Sequence, residues 1–406
     1  MTAIVGILNK QGMAVAADSA ATIGGGMKVF NTANKLFALS KHHPVGIAVY
    51  GTATFNGYIP WEIIIKEYRK TLKEKCHNST ADYMKDFYNF LYDFQKKHIT
   101  KDQIIAFLNY DVYGMYERIF KKNGRLKEAD VIIRTINLIK VNAKTTGEVC
   151  EKKEYSRCIS SSLDKIKEEL SKVLNYEEIE DALLDILFSS RDNNRKYHSY
   201  MSGSAFFGYG QNEIYPSIID TNVYASLPSK ICMREETKEA ISNKNPQIIL
   251  PLAQTDVIQT FLYGMDAETE NVFYSGIKYA ILKIVSQMEG IIRPYNEVIA
   301  NNIKNMDLNP LYDSINSIMG DYKRRKYVEP LLNMISLMDK ADLAVVAENL
   351  IYMTSLRRHV AYVPESVGGP IDVAVLSKGD GFIWVKRKHY FDPKLNFPYF
   401  EKYLNN

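Results

Sequence analysis

Short apolar runs and long amphipathic stretches divide the chain between them. The run Thr2-Ala3-Ile4-Val5-Gly6-Ile7-Leu8 gives way to Asn9-Lys10-Gln11-Gly12, and apolar positions resume from Met13 to Ala17. Two such runs about a polar turn ending in glycine predict a β-hairpin. Asp18-Ser19 closes the second run, and Gly24-Gly25-Gly26, Lys28 and Lys35-Leu36-Phe37-Ala38-Leu39 follow. A third run, Val45 to Tyr50, ends at Gly51-Thr52-Ala53 ahead of a helical pattern that begins at Trp61. Strand signals cluster at 2–18, 35–50, 203–226 and 371–387.

Between those clusters the spacing turns helical. Asn78-Ser79-Thr80 with Asp82 predicts a helix start, and Tyr83, Phe87, Phe90, Leu91 and Phe94 then keep one apolar face. Cys158 to Leu174 and Glu177 to Phe188 show the same spacing with Glu/Lys pairs on the other face. Residues 256–264, 276–288, 328–338 and 341–356 add further helices. There is no internal repeat and no low-complexity linker. The expectation is one domain over 1–406: two stacked sheets flanked by helices, with helical insertions near 75–200 and 266–360. The aromatic stripe after Tyr83 reads as packing rather than as a lid or an oligomer contact.

The candidate chemistry lies at the start of the chain. Thr2 follows Met1 directly, and a methionine aminopeptidase of the bacterial type removes Met1 when the second residue is small. Thr2 would then carry a hydroxyl and a free α-amine on one residue. That amine, with a reference pKa of roughly 7.7–8, can take the proton from its own Oγ, a known form of activated nucleophile. Paired strands can bring Asp18 and Lys35 back beside it. The alternatives are equally plain: Thr2 as a first strand residue, Asp18 as a turn cap, Lys35 as a surface lysine.

These motifs, taken in order, resemble the proteasome β-subunit family of N-terminal nucleophile (Ntn) hydrolases. The likeness rests on Thr2-Ala3-Ile4-Val5-Gly6, on Gly12 to Ser19 with Ala21-Thr22, on Asn34-Lys35-Leu36 and on Gly51-Thr52-Ala53. Phe206-Phe207-Gly208-Tyr209-Gly210 with Ile214 to Ile218 resembles the family's central strand pair. Gly368 to Leu376 with Gly379-Asp380-Gly381-Phe382 resembles its last hairpin. About half the chain is covered. The resemblance implies an α+β fold, a four-layer αββα sandwich of two antiparallel sheets between helices. It implies Thr2 as nucleophile, its amine as base, Asp18 holding Lys35, and Lys35 easing ionisation of the hydroxyl, with Lys28 as the competing lysine. The oxyanion donor would be the backbone N–H of Tyr50 or Gly51. Thr255 and, with Glu365, Ser366 would stand where the family keeps supporting serines.

Composition changes little. The 406 residues are 46% hydrophobic, enough for a sizeable core, and 51 basic against 47 acidic residues leave a net charge of +4. No global basic field argues for nucleic acid, and the runs Lys323 to Lys326 and Lys386 to His389 read as solvated faces. Cys76, Cys150, Cys158 and Cys232 lack metal-ligand spacing and read as reduced thiols. No metal and no cofactor is expected. The start of the chain does not read as a signal peptide, no run approaches a membrane span, and a cytoplasmic location is expected. The resemblance thus implies a threonine peptidase acting on a peptide or protein, as a homo-oligomer without nucleic acid or membrane. Its alternatives are an inactive scaffold subunit or an amidase for a small substrate.

Overall fold

In the computed structural model, residues 2–23, 28–142, 152–193, 201–361 and 367–398 are described. The chain is α+β, built on two five-stranded antiparallel sheets. Ten strands form them: β1 (Ala3–Asn9), β2 (Gly12–Ala17), β3 (Leu36–Ala38), β4 (Val45–Gly51), β5 (Ser202–Gly208), β6 (Ser217–Ser226), β7 (Ile231–Ala240), β8 (Gln247–Ala253), β9 (Asp372–Ser377) and β10 (Gly381–Lys386). The first sheet runs β8-β1-β2-β9-β10 and the second β7-β6-β5-β4-β3.

Period-two alternation explains the stacking. In β1, Ile4 and Leu8 enter the core between the sheets, whereas Ala3, Val5 and Ile7 face a helical layer. Strand β2 divides the same way, Met13, Val15 and Ala17 inward and Ala14 and Ala16 outward. A strand buried on both faces has no place for a polar alternation, so these runs are apolar throughout. At the inward position of Gly6 the end of the Ile218 side chain from the facing sheet packs close, 2.9 Å from where a Cβ would lie, so a larger residue there would displace it.

Helices α1 (Trp61–Leu72), α2 (Thr80–His98), α3 (Lys101–Phe120), α4 (Ala129–Asn142), α5 (Lys152–Cys158), α6 (Ser160–Leu170) and α7 (Glu180–Asn193) follow β4, and the buried side chains of this run join the outer face of the second sheet in one core. Ser79 caps α2 in a reciprocal box with Asp82. Tyr83, Phe87 and Leu91 are buried, and Phe90 and Phe94 pack against them, so the aromatic stripe is core. The first sheet is covered by α8 (Asp256–Tyr263), then, after α9 (Ala267–Ile292), α10 (Glu297–Lys304) and α11 (Asn309–Lys323), by α12 (Glu329–Leu337) and α13 (Lys340–Val360). Helix α9 buries no residue and presents Val272, Tyr279, Ile284 and Ile291 to solvent.

Two features depart from the sequence reading. Strands β7 and β8 lie in 231–253, outside the four strand clusters, and belong to different sheets, β7 pairing with β6 and β8 with β1. Strand β7 is a partly exposed Glu/Lys-rich edge, whose charges obscure the pattern but suit an edge. Cys76 and Cys158 are free, but Cys232 is disulfide-bonded, which corrects the expectation of four reduced thiols. A disulfide needs Cα atoms within about 4.4–6.8 Å, a closeness in space that spacing along the chain does not reveal. No helix among the described residues is long and apolar enough to cross a membrane.

Candidate active site

Thr2, Asp18 and Lys35 meet at one end of the sheet pair, and all three are buried. The geometry follows from the β1–β2 register, in which Ile4 pairs with Ala17. The next residue of β2's chain, Asp18, therefore lies beside Ala3, and its N–H donates to Ala3 O (3.2 Å). The Asp18 side chain turns back and gathers four donors. Oδ1 accepts from Ala3 N–H (2.9 Å) and from Lys35 Nζ (2.7 Å), while Oδ2 accepts from Ala20 N–H (3.1 Å) and Gly368 N–H (3.2 Å). One carboxylate oxygen thus holds the amide that follows Thr2 and the Lys35 ammonium together, within two hydrogen-bond lengths of each other.

Burial is the largest influence on Lys35 and pushes its pKa below the usual lysine value, against the stabilising charge and hydrogen bond of Asp18. The result is a desolvated cation whose carboxylate partner among the described residues is the buried Asp18.

The glycine turn after β4 sits on the same edge. Val49 N–H donates to Lys35 O (2.8 Å), and Thr52 N–H to Met201 O (3.2 Å). Backbone groups alternate sides along a strand, so Tyr50 N–H is turned toward β5 and Gly51 N–H toward the edge bearing Lys35. Glycine is needed at 51: its φ is +83°, and a Cβ would lie 2.2 Å from Met201 O. The Tyr50 side chain has a different task. Its hydroxyl donates to Asp220 Oδ1 (2.7 Å), and its ring lies over Gly203, where a Cβ would come within 2.0 Å.

On the other side of Thr2, Ala3 pairs with Ala253, and Gln254 N–H donates to Thr2 O (3.0 Å). Thr255, one residue on, is half-buried and precedes α8 without a side-chain capping bond. Ala253 has φ +64°, a left-handed conformation rare for a residue with a Cβ. Arg358 braces the segment, with Nη2 2.7 Å from both Asp256 carboxylate oxygens and Nε 3.2 Å from Gln254 Oε1. Glu365, Ser366 and the Lys28 side chain lie outside the described residues.

A second buried carboxylate, unnoticed in the sequence, adjoins Asp18. Asp372 pairs with Ala17 across β2 and β9 and holds Arg387 Nη1 (3.3 Å), Lys388 N–H (2.9 Å) and Lys388 Nζ. Its signal is a lone charge opening the apolar run Ile371-Asp372-Val373-Ala374-Val375. Of the run Lys386 to His389, read as solvated, Lys386 and His389 are exposed, but Lys388 is drawn inward: its side chain is 10% exposed, because Asp372 offers it a buried partner.

No family model matches the chain, and no curated protein matches it. Among solved structures it is similar to Anbu (ancestral beta-subunit) from Yersinia bercovieri, at 10% identity and TM-score 0.28 over 99% of this chain and 95% of that one. An Anbu mutant from Hyphomicrobium sp. strain MC1 matches at 11% identity and TM-score 0.26, over 100% and 95%. The Anbu complex from Pseudomonas aeruginosa, described as a helical assembly, matches at 9% and TM-score 0.27, over 100% and 95%. These values correct the placement in the proteasome β-subunit family. The motifs behind it are short apolar strands closed by small-residue turns, which any doubly covered hairpin needs, and the likeness of the whole chain is too slight to carry a family.

Proposed function

We propose that the protein is an amide-bond hydrolase acting on peptides, with Thr2 as nucleophile once Met1 has been removed. The observation that carries this reading is the shared Asp18 oxygen, which ties the Thr2–Ala3 peptide to the desolvated Lys35 ammonium. The Thr2 α-amine takes the Oγ proton as Oγ attacks the carbonyl carbon, with Lys35 favouring the developing alkoxide. Gly51 N–H receives the oxyanion; losing one such donor typically costs about 2.7–4 kcal/mol of transition-state stabilisation. Collapse forms a Thr2 ester, and the α-ammonium returns the proton to the departing amine. Water deprotonated by the same amine then attacks the ester and frees the acid. Thr255 is assigned the support of the amine, on the strength of its neighbour Gln254, whose N–H donates to Thr2 O.

The test combines the intact mass of the purified chain with turnover of a fluorogenic peptide panel by wild type, Thr2→Ser and Thr2→Ala. Loss of Met1, activity in the first two and none in Thr2→Ala are expected. Equal activity in wild type and Thr2→Ala, or an active preparation that retains Met1, refutes the proposal.

A further inference from the structure

Lys35 stands at the head of the shortest strand of the two sheets. Strand β3 has three residues and forms the open edge of the second sheet. Val49 N–H donates to Lys35 O (2.8 Å) and Leu39 N–H to Val45 O (3.0 Å). The alternate carbonyls, Leu36 O and Ala38 O, therefore point away from β4. Leu36 is fully buried, and a buried carbonyl needs a donor. Two arginines supply donors along this edge. Arg69 Nη1, from α1, donates to Ala38 O (3.4 Å), and Arg387 Nη1, from the residue after β10, donates to Leu36 O (3.0 Å).

Arg387 also reaches the first sheet. The same Nη1 donates to Asp372 Oδ2 (3.3 Å), and the guanidinium is set over Trp384, Cζ 4.2 Å from the ring centroid. Asp372 faces Ala17 across β2 and β9. Ala17 precedes Asp18, whose Oδ1 accepts from Lys35 Nζ (2.7 Å). These contacts close a ring that runs from Lys35 to Asp18, from Ala17 to Asp372, through Arg387, and back to the carbonyl beside Lys35. The lysine is gripped at both ends, its ammonium by Asp18 and its main chain by Arg387. Both grips start from neighbouring strands of the other sheet. A three-residue edge has few ladder bonds with which to fix a long side chain, and the ring provides what the edge lacks.

We propose that Arg387 is a positioning residue for Lys35, clamping Leu36 O to Asp372 so that the ammonium stays beside the Thr2–Ala3 peptide. The catalytic consequence rests on the Thr2 reading; the clamp itself does not.

Arg387→Met keeps an apolar stem beside Trp384 and removes both donations. Checked for fold by circular dichroism, it should lower kcat about a hundredfold with KM near the wild-type value, because the cation is misplaced rather than the substrate released. Arg387→Lys keeps a charged donor and should recover most of that loss. Arg69→Met uncaps the same edge at Ala38 and should leave kcat near wild type. Hydrogen exchange read by mass spectrometry follows the clamp without any substrate: Val49 N–H, bonded to Lys35 O, should exchange faster in Arg387→Met and return toward wild type in Arg387→Lys. Unchanged exchange, an unchanged kcat in an active enzyme, or an equal loss of kcat in Arg69→Met overturns the proposal. Faster exchange reversed by Arg387→Lys, in a protein that cleaves no peptide, supports the clamp and sinks the hydrolase reading.

Discussion

Replacing Asp18 by Asn exposes the electrostatic logic of the centre more sharply than any change at Thr2. The Asp18 side chain is fully buried, that of Lys35 is 7% exposed, and their N···O distance is 2.7 Å. Asn keeps the shape but removes the charge, and one of its two terminal atoms becomes a donor. Whichever way the amide turns, that donor meets other donors: Ala3 N–H and Lys35 Nζ on one side, Ala20 N–H and Gly368 N–H on the other. Stranding one member of a buried ion pair costs about 3–5 kcal/mol, a large share of the ~5–15 kcal/mol that holds a typical domain together. Lys35 can limit the loss by giving up its proton, which burial already favours. Removing the stranded cation as well, in Asp18→Asn/Lys35→Met, should therefore recover about 2 kcal/mol relative to Asp18→Asn alone. Urea unfolding followed by near-ultraviolet circular dichroism measures both changes through the midpoint. An Asp18→Asn loss below about 1 kcal/mol, or a double variant as unstable as the sum of the singles, would refute a coupled buried pair.

Two further outcomes follow from the same geometry. Burial holds the Lys35 pKa below its ordinary 10.5, so the cation is lost at a lower pH than from a free lysine. Between the folded value and 10.5 the unfolded chain binds the extra proton, and stability rises with pH there while the cation on which the proposed mechanism relies disappears. kcat/KM should accordingly rise through the α-amine near ~8 and fall again before 10.5. Lys35→Arg, whose guanidinium stays charged, should abolish the falling limb alone, and a falling limb that survives in this variant contradicts the role given to Lys35. At Ala253, where φ is +64°, the left-handed backbone costs a residue with a Cβ roughly 1–2 kcal/mol. Ala253→Gly should raise stability by up to about 1 kcal/mol once the greater freedom of the unfolded glycine is counted; a thermal melt showing the usual Ala-to-Gly loss would mean that the bend carries no strain.

Local pattern alone made much of the molecule legible. The uninterrupted apolar runs of β1 and β2, the capping box at Ser79, the aromatic face after Tyr83 and the hydroxyl at Thr2 are properties of neighbouring residues. Each is decided by strand or helix periodicity and short-range hydrogen bonding. Asp18 could be singled out because the β1–β2 hairpin is short and returns the chain to its start, whereas Lys35 is set above Lys28 only by the family resemblance. Tertiary structure alone decided which carboxylate meets which cation. Asp372 reaches Ala17 only when β9, from the far end of the chain, docks on β2; that register draws Lys388 out of an otherwise exposed basic run and into a buried ion pair. The left-handed Ala253, the charged edge β7 and the bonded Cys232 are likewise consequences of closure. Periodicity specifies which face of an element is apolar, whereas partners distant in sequence are chosen by the register and packing of the assembled sheets.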